Sequence, residues 1–222
     1  MANQRDLSID IMRFLGVLSI MIAHADPPAW FFQLRNFGMP MLVVASGMAH
    51  TVIYQAKPLV VGTFYRHRLS RLVIPTWIFM LFFFPLLYVF LHLAGKPYPF
   101  DLKFIIGSLT FYSGTGFFWI FKIYIILALI TPLALRARQS GVPKAVYFWA
   151  LGIGYIAYEI SIPLLSGALP ESLQGLLDEV IFIVVPYTLI FLYGLRLREL
   201  SDRQVLAVAM AAFAIFLFIA LR

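Results

Sequence analysis

An all-α, polytopic transmembrane helical bundle is the fold class this sequence predicts, with about seven spans and one short interfacial or re-entrant helix. Three observations carry that expectation. Of 222 residues, 62% are hydrophobic and only 12% charged, and the mean hydropathy is +0.91, more apolar than a soluble domain of this size. The apolar residues fall into blocks long enough to cross a bilayer. Basic residues gather at the ends of those blocks, as the positive-inside rule requires.

Taken in order, the chain opens with a short polar stretch, Met1 to Asp6, that lacks a cleavable-signal pattern, so the first apolar segment is expected to remain as a helix. That helix runs from about Leu7 to Ala23 and stops at His24, Ala25, Asp26, Pro27 and Pro28, where paired prolines end it. Trp30, Phe31 and Phe32 suit an interfacial belt. A second span is expected from about Phe37 to Tyr54, with Pro40 tolerated in its first turn, Ser46-Gly47 offering a small surface to a neighbour, and His50 a satisfied polar residue. Lys57, Arg66, His67, Arg68 and Arg71 then form the densest basic segment, read as a cytoplasmic loop.

A third span follows from about Leu72 to Leu93, with Pro75 and Pro85 as kink points and His92 at its outer end. Leu102 to Tyr112 is too short to cross and reads as the interfacial or re-entrant helix, whereas Phe117 to Leu135 is long enough. Arg136, Arg138 and Lys144 mark a second cytoplasmic loop. Spans at about Val146 to Leu165, Val180 to Leu195 and Val205 to Leu221 complete the set. Arg196, Arg198 and Arg203 put the last loop inside, while the loop holding Glu171, Asp178 and Glu179 has no Lys or Arg and faces out. The amino terminus is then cytoplasmic. No internal repeat is visible, so residues 1–222 read as a single integral membrane domain.

Several function classes lose support at this stage. With no cysteine, a disulfide framework, a zinc-thiolate site and a cysteine nucleophile are excluded. His24, His50, His67 and His92 are scattered singly and show no metal-ligand spacing, so no metal is expected. The net charge of +7 comes from residues at helix ends and reads as membrane orientation, not as a nucleic-acid surface.

The first helix carries the candidate chemistry. At 100° per residue, Asp10, Arg13 and His24 fall within about 60° of one another, and Arg13 and His24 are about 16 Å apart along the axis. An ionised side chain near the bilayer centre costs at least ~2.5 to 3.5 kcal/mol and usually faces a bundle interior or a watery cavity. The alternative is an Asp10–Arg13 pair at i,i+3 that snorkels to the interface, with His24 marking the outer boundary. Lys122, inside a span, either lines the cavity or snorkels, and its place near the outer end favours snorkelling. Glu159 is expected to face the bundle or the outer interface and receives no role.

Read together, Arg5-Asp6-Leu7-Ser8-Ile9-Asp10-Ile11-Met12-Arg13-Phe14, His24, Phe37-Gly38-Met39-Pro40 with Ser46-Gly47, and Arg66-His67-Arg68-Leu69-Ser70-Arg71-Leu72-Val73-Ile74-Pro75 resemble the membrane acyltransferase-3 family. Its hallmark, an arginine or lysine and a histidine across the first helix with ten residues between them, fits Arg13 and His24. Its arginine pair after the second helix fits Arg68 and Arg71, and Gly116-Phe117-Phe118-Trp119-Ile120 looks like its aromatic entry to a later span. The resemblance covers about the first 135 residues. Where the family has a phenylalanine-rich stretch, this chain has Met41-Leu42-Val43-Val44, a difference of packing.

The resemblance implies an integral membrane O-acyltransferase of the bacterial inner membrane. It would move an acyl group, acetyl foremost, from cytoplasmic acyl-CoA to a hydroxyl of a sugar or cell-envelope glycan. His24 would be the general base, imidazole being the side chain that exchanges protons near neutral pH. Arg13 would hold the donor through its phosphates or by polarising the acyl carbonyl. Asp10 would orient Arg13, and Arg68 and Arg71 would take the CoA phosphates, against the plainer reading of these two as positive-inside anchors. Family members usually have more spans and a longer chain, so the resemblance implies a member shortened at the carboxy terminus, with a second membrane subunit or a homo-oligomer closing the site. Two other classes stay open: a non-catalytic subunit for scaffolding or glycan export, and a proton-coupled transporter relaying charge through Asp10, Arg13 and Glu159.

Overall fold

The computed structural model describes residues 6–25, 27–28, 37–56, 58–112, 118–168 and 170–220, and among them all regular structure is helical. The aromatics Trp30, Phe31 and Phe32, the Gly116-Phe117 step and the basic residues Arg5 and Lys57 lie outside the described residues. In chain order the helices are α1 (Leu7–Ala23), α2 (Gly38–Ala56), α3 (Val61–Arg68), α4 (Ile74–Leu93), α5 (Leu102–Leu109), α6 (Phe118–Gln139), α7 (Lys144–Ala168), α8 (Glu171–Leu176), α9 (Phe182–Arg196) and α10 (Asp202–Ala220). Three helical stretches among the described residues are long and apolar enough to cross a membrane: Val61–Leu93, Trp119–Gln139 and Lys144–Leu165. They coincide with three of the expected spans. The other expected spans are helical as well, at α1, α2, α9 and α10.

One expectation is corrected. Arg66, His67, Arg68 and Arg71 do not form a loop but lie on a continuous 33-residue helix, because a π-helical turn at Leu69–Val73 joins α3 to α4. The reason lies in Pro75, which has no N–H for the carbonyl four residues before it. The ladder slips by one residue here, the Ile74 N–H donating to the Leu69 carbonyl, and the Thr76 hydroxyl donates to the Leu72 carbonyl at 2.7 Å. The break is absorbed inside the helix. Upstream, the Tyr65 hydroxyl anchors α3 by donating to the Leu129 carbonyl at 2.9 Å, and the Arg68 guanidinium sits 5.2 Å from the centre of the buried Phe64 ring.

The chain divides into two compact units. The first comprises Met1–Lys57, Leu135–Ala157 and Tyr187–Arg222, and the second Pro58–Ala134 and Tyr158–Pro186. In the first, α2 is held by glycines against neighbours on two sides. Toward α1, a Cβ built on Gly16 would lie 2.9 Å from the Gly38 carbonyl oxygen. Toward α9, one on Gly47 would lie 2.5 Å from the Phe191 carbonyl oxygen, and one on Gly194 would lie 2.5 Å from that of Val44. The small surface expected at Ser46-Gly47 is therefore where two backbones meet. His50 is buried with its Nδ1 2.6 Å from the Ser46 carbonyl, the satisfied polar residue the sequence suggested. Gly194→Ala is expected to lower the thermal midpoint in detergent, since overpacking costs about 1–3 kcal/mol and the helix-propensity gain returns only ~1. Gly152→Ala, with nothing within 4 Å of the added carbon, is the matched control and should leave it unchanged or slightly higher.

In the second unit, Met80 and Phe84 are buried against Phe100, Phe104 and Phe121. Phe100 stacks on Phe104 at 4.6 Å, and the Asp101 carboxylate caps α5 by accepting the Phe104 N–H at 2.7 Å. Lys122 is a second correction: it does not snorkel but is buried, 7% exposed, with its ammonium 6.0 Å from the centre of the Tyr112 ring. An aromatic face supplies a local counterpart that solvent would otherwise provide. Tyr158 has a similar satisfying role, its hydroxyl donating at 2.8 Å to the Phe182 carbonyl, the one that Pro186 leaves without an N–H.

Candidate functional site

The first helix is started by Asp6, whose carboxylate accepts the Ser8 N–H at 3.1 Å, and it ends at His24. Ile9, Gly16 and Ala23, spaced by seven, are its buried stripe. Asp10, Arg13 and His24 fall on one flank of that stripe, by about 40° to 100° at 100° per residue. Arg13 and His24 are exposed, Asp10 is half-buried, and Arg13 makes no ion pair among the described residues.

The His24 ring is oriented by its own helix. Nδ1 lies 2.7 Å from the Ile20 carbonyl oxygen, and a carbonyl can only accept, so Nδ1 carries the proton of the neutral imidazole. The basic lone pair is then on Nε2. A backbone group thus selects the tautomer.

Arg68 and Arg71 belong to the second unit, on and just before the π-helical turn: Arg68 is half-buried and Arg71 exposed. Lys122 and Glu159 also belong to that unit, and Glu159 is exposed on α7.

A charge cluster in the first unit was not visible as such in the sequence. Arg196 donates through Nε to Glu199 at 2.7 Å and through one terminal nitrogen to the Val142 carbonyl at 2.8 Å, while its guanidinium carbon lies 4.8 Å from the centre of the Tyr147 ring. Arg138 reaches the other Glu199 oxygen at 3.2 Å, and Arg198 pairs with Asp6 at 2.6 Å. Arg138, Arg196 and Arg198 read as separate membrane-orientation charges in the sequence. Only the acid three residues after Arg196 hinted at a pair. The consequence is topological: the start of α1, the end of α6 and the turn between α9 and α10 meet at one end of the unit.

From that end, Arg13 lies about 10 Å along the α1 axis from Asp6, and His24 about 27 Å, nearly the ~30 Å depth of a hydrocarbon core. One model of a known protein family, described as an acyltransferase domain, matches residues 6–221 and so runs through both units. No curated protein and no solved structure matches the chain.

Proposed function

We propose, from the premise that this chain belongs to the acyltransferase 3 family of membrane acyltransferases, that it moves an acyl group, acetyl foremost, from cytoplasmic acyl-CoA to a hydroxyl of a sugar or envelope glycan. The observation that carries the reading is the His24 ring, fixed by the Ile20 carbonyl with Nε2 as its base. In this reading Nε2 takes the proton of the acceptor hydroxyl as its oxygen attacks the thioester carbonyl. The tetrahedral oxyanion then collapses, the carbon–sulfur bond breaks, and the imidazolium returns its proton to the leaving CoA thiolate.

The axial separation favours one of the two roles open to Arg13. Reacting atoms meet within about 3 to 3.5 Å. With the backbones of Arg13 and His24 about 16 Å apart along the axis, Arg13 is better placed to hold a distal part of the donor, its phosphates by chemistry, than to polarise the carbonyl that His24 serves. Asp10, one turn before Arg13 on the same face, makes no ion pair with it among the described residues, so its orienting role is not carried forward. Arg68 and Arg71 keep the phosphate-binding role that the resemblance gives them. Seven crossings with the amino terminus inside fit the meeting of three polar ends at Asp6–Arg198 and Arg138–Glu199. The whole of 1–222 acts as one domain in the bacterial inner membrane.

Donor binding tests the division of labour. Charge-assisted hydrogen bonds are worth about 1.5–3 kcal/mol, so Arg13→Ala should weaken acetyl-CoA binding to the purified chain by roughly 10- to 150-fold, whereas His24→Ala should leave it unchanged. Equal binding by wild type and Arg13→Ala removes Arg13 from the donor site.

A further inference from the structure

On the side of α2 away from α1, the first unit holds an open groove of about 790 Å³ between α2, α7, α9 and α10. Its walls are apolar along their length, with Val44, Phe148, Leu189 and Val208 among them. The charged and amide side chains lining it are Lys144 and Gln204, each in the first turn of its helix, α7 and α10.

Both present hydrogen-bond donors to the groove. Lys144 is exposed and makes no ion pair among the described residues. Gln204 has its oxygen committed to the cap of α10, accepting the Ser201 N–H at 3.0 Å and the Ser201 hydroxyl at 3.3 Å, so the amide hydrogens are what it offers. An ammonium and an amide N–H₂ complement an anion. From Lys144 to Tyr155, the far lining residue on α7, the groove extends about 16 Å, close to the ~15 Å of one leaflet's hydrocarbon.

We infer that this groove is a binding site for an anionic phospholipid, its acyl chain between α7 and α10 and its phosphate at Lys144 and Gln204. The polar end is the one at which Arg138, Glu199 and Asp6 gather, the cytoplasmic end in the topology above, and the cytoplasmic leaflet is where anionic lipids concentrate. A neutral helix from a partner would fill the apolar length but leave the two donors without an acceptor.

The test is native mass spectrometry of the purified full chain with added phosphatidylglycerol or phosphatidylcholine of identical acyl chains. Wild type should retain phosphatidylglycerol about fivefold better, the preference one basic residue gives for an anionic lipid. Lys144→Glu should abolish the preference, and Lys144→Gln, which removes only the charge, serves if the first variant does not fold. Gly152→Phe, placed where no atom lies within 4 Å, should reduce retention of both lipids. Equal retention of the two lipids by wild type, an undiminished preference in the Lys144 variants, or a second copy of the chain joined by an oxidant-driven disulfide in Gly152→Cys in place of lipid would each overturn the assignment.

Discussion

Substituting His24 by alanine is expected to slow acyl transfer by about a hundred- to ten-thousand-fold, the contribution of a positioned general base. The measurement is release of the CoA thiol from acetyl-CoA by the purified chain, with the thermal midpoint taken in parallel. The side chain is exposed, and its Nδ1 bonds to the Ile20 carbonyl, inside its own helix. Little tertiary packing is therefore lost, and the midpoint should stay within about 0.5 kcal/mol of wild type, as at other surface sites. A large rate loss at constant stability assigns the effect to chemistry. His24→Gln separates two explanations further, because glutamine keeps polarity and approximate size without a basic nitrogen. It should be as slow as alanine; a wild-type rate in either variant would remove His24 from the reaction.

What the sequence made legible was what composition and spacing determine. The all-helical fold follows from apolar blocks, and the face shared by Asp10, Arg13 and His24 follows from helical periodicity alone. The stop at His24 follows from Pro27 and Pro28. Misread features depend on partners distant in sequence or on local slippage of the hydrogen-bond ladder. Basic residues before Pro75 looked like a loop because their charge marks a membrane edge, but a π-helical turn and the Thr76 hydroxyl carry the helix through Pro75 and the basic residues lie on it. Lys122 looked like a snorkelling residue because its ring partner Tyr112 lies outside its own helix, where helical periodicity gives no sign of it. The Arg138–Glu199 pair joins residues 61 apart, and periodicity carries no information about such a contact. The Nδ1 proton of His24 was out of reach for a different reason: tautomer choice depends on a ring torsion, which only coordinates supply.

Glu199→Ala should produce the largest stability loss, about 2–4 kcal/mol, somewhat below the ~3–5 kcal/mol for breaking a fully buried pair because water reaches part of Glu199. Its partners set the magnitude. The side chains of Arg196 and Arg138 are 9% and 16% exposed, and Glu199 is bonded to both. Removing it leaves two guanidiniums facing each other with little solvent, and Arg196 keeps only the Val142 carbonyl and the Tyr147 ring. The Asp6–Arg198 pair is the internal contrast: Arg198 is 50% exposed, so Arg198→Met should cost at most about 1 kcal/mol. Thermal midpoints in one detergent compare the two directly. Glu199→Gln, which still accepts but carries no charge, should fall between them. Adding Arg138→Met to Glu199→Ala should recover part of the loss, since the like-charge contact disappears with it. If Glu199→Ala instead melts with wild type, the cluster is peripheral, and the meeting of the α1, α6 and α9 ends would need another cause.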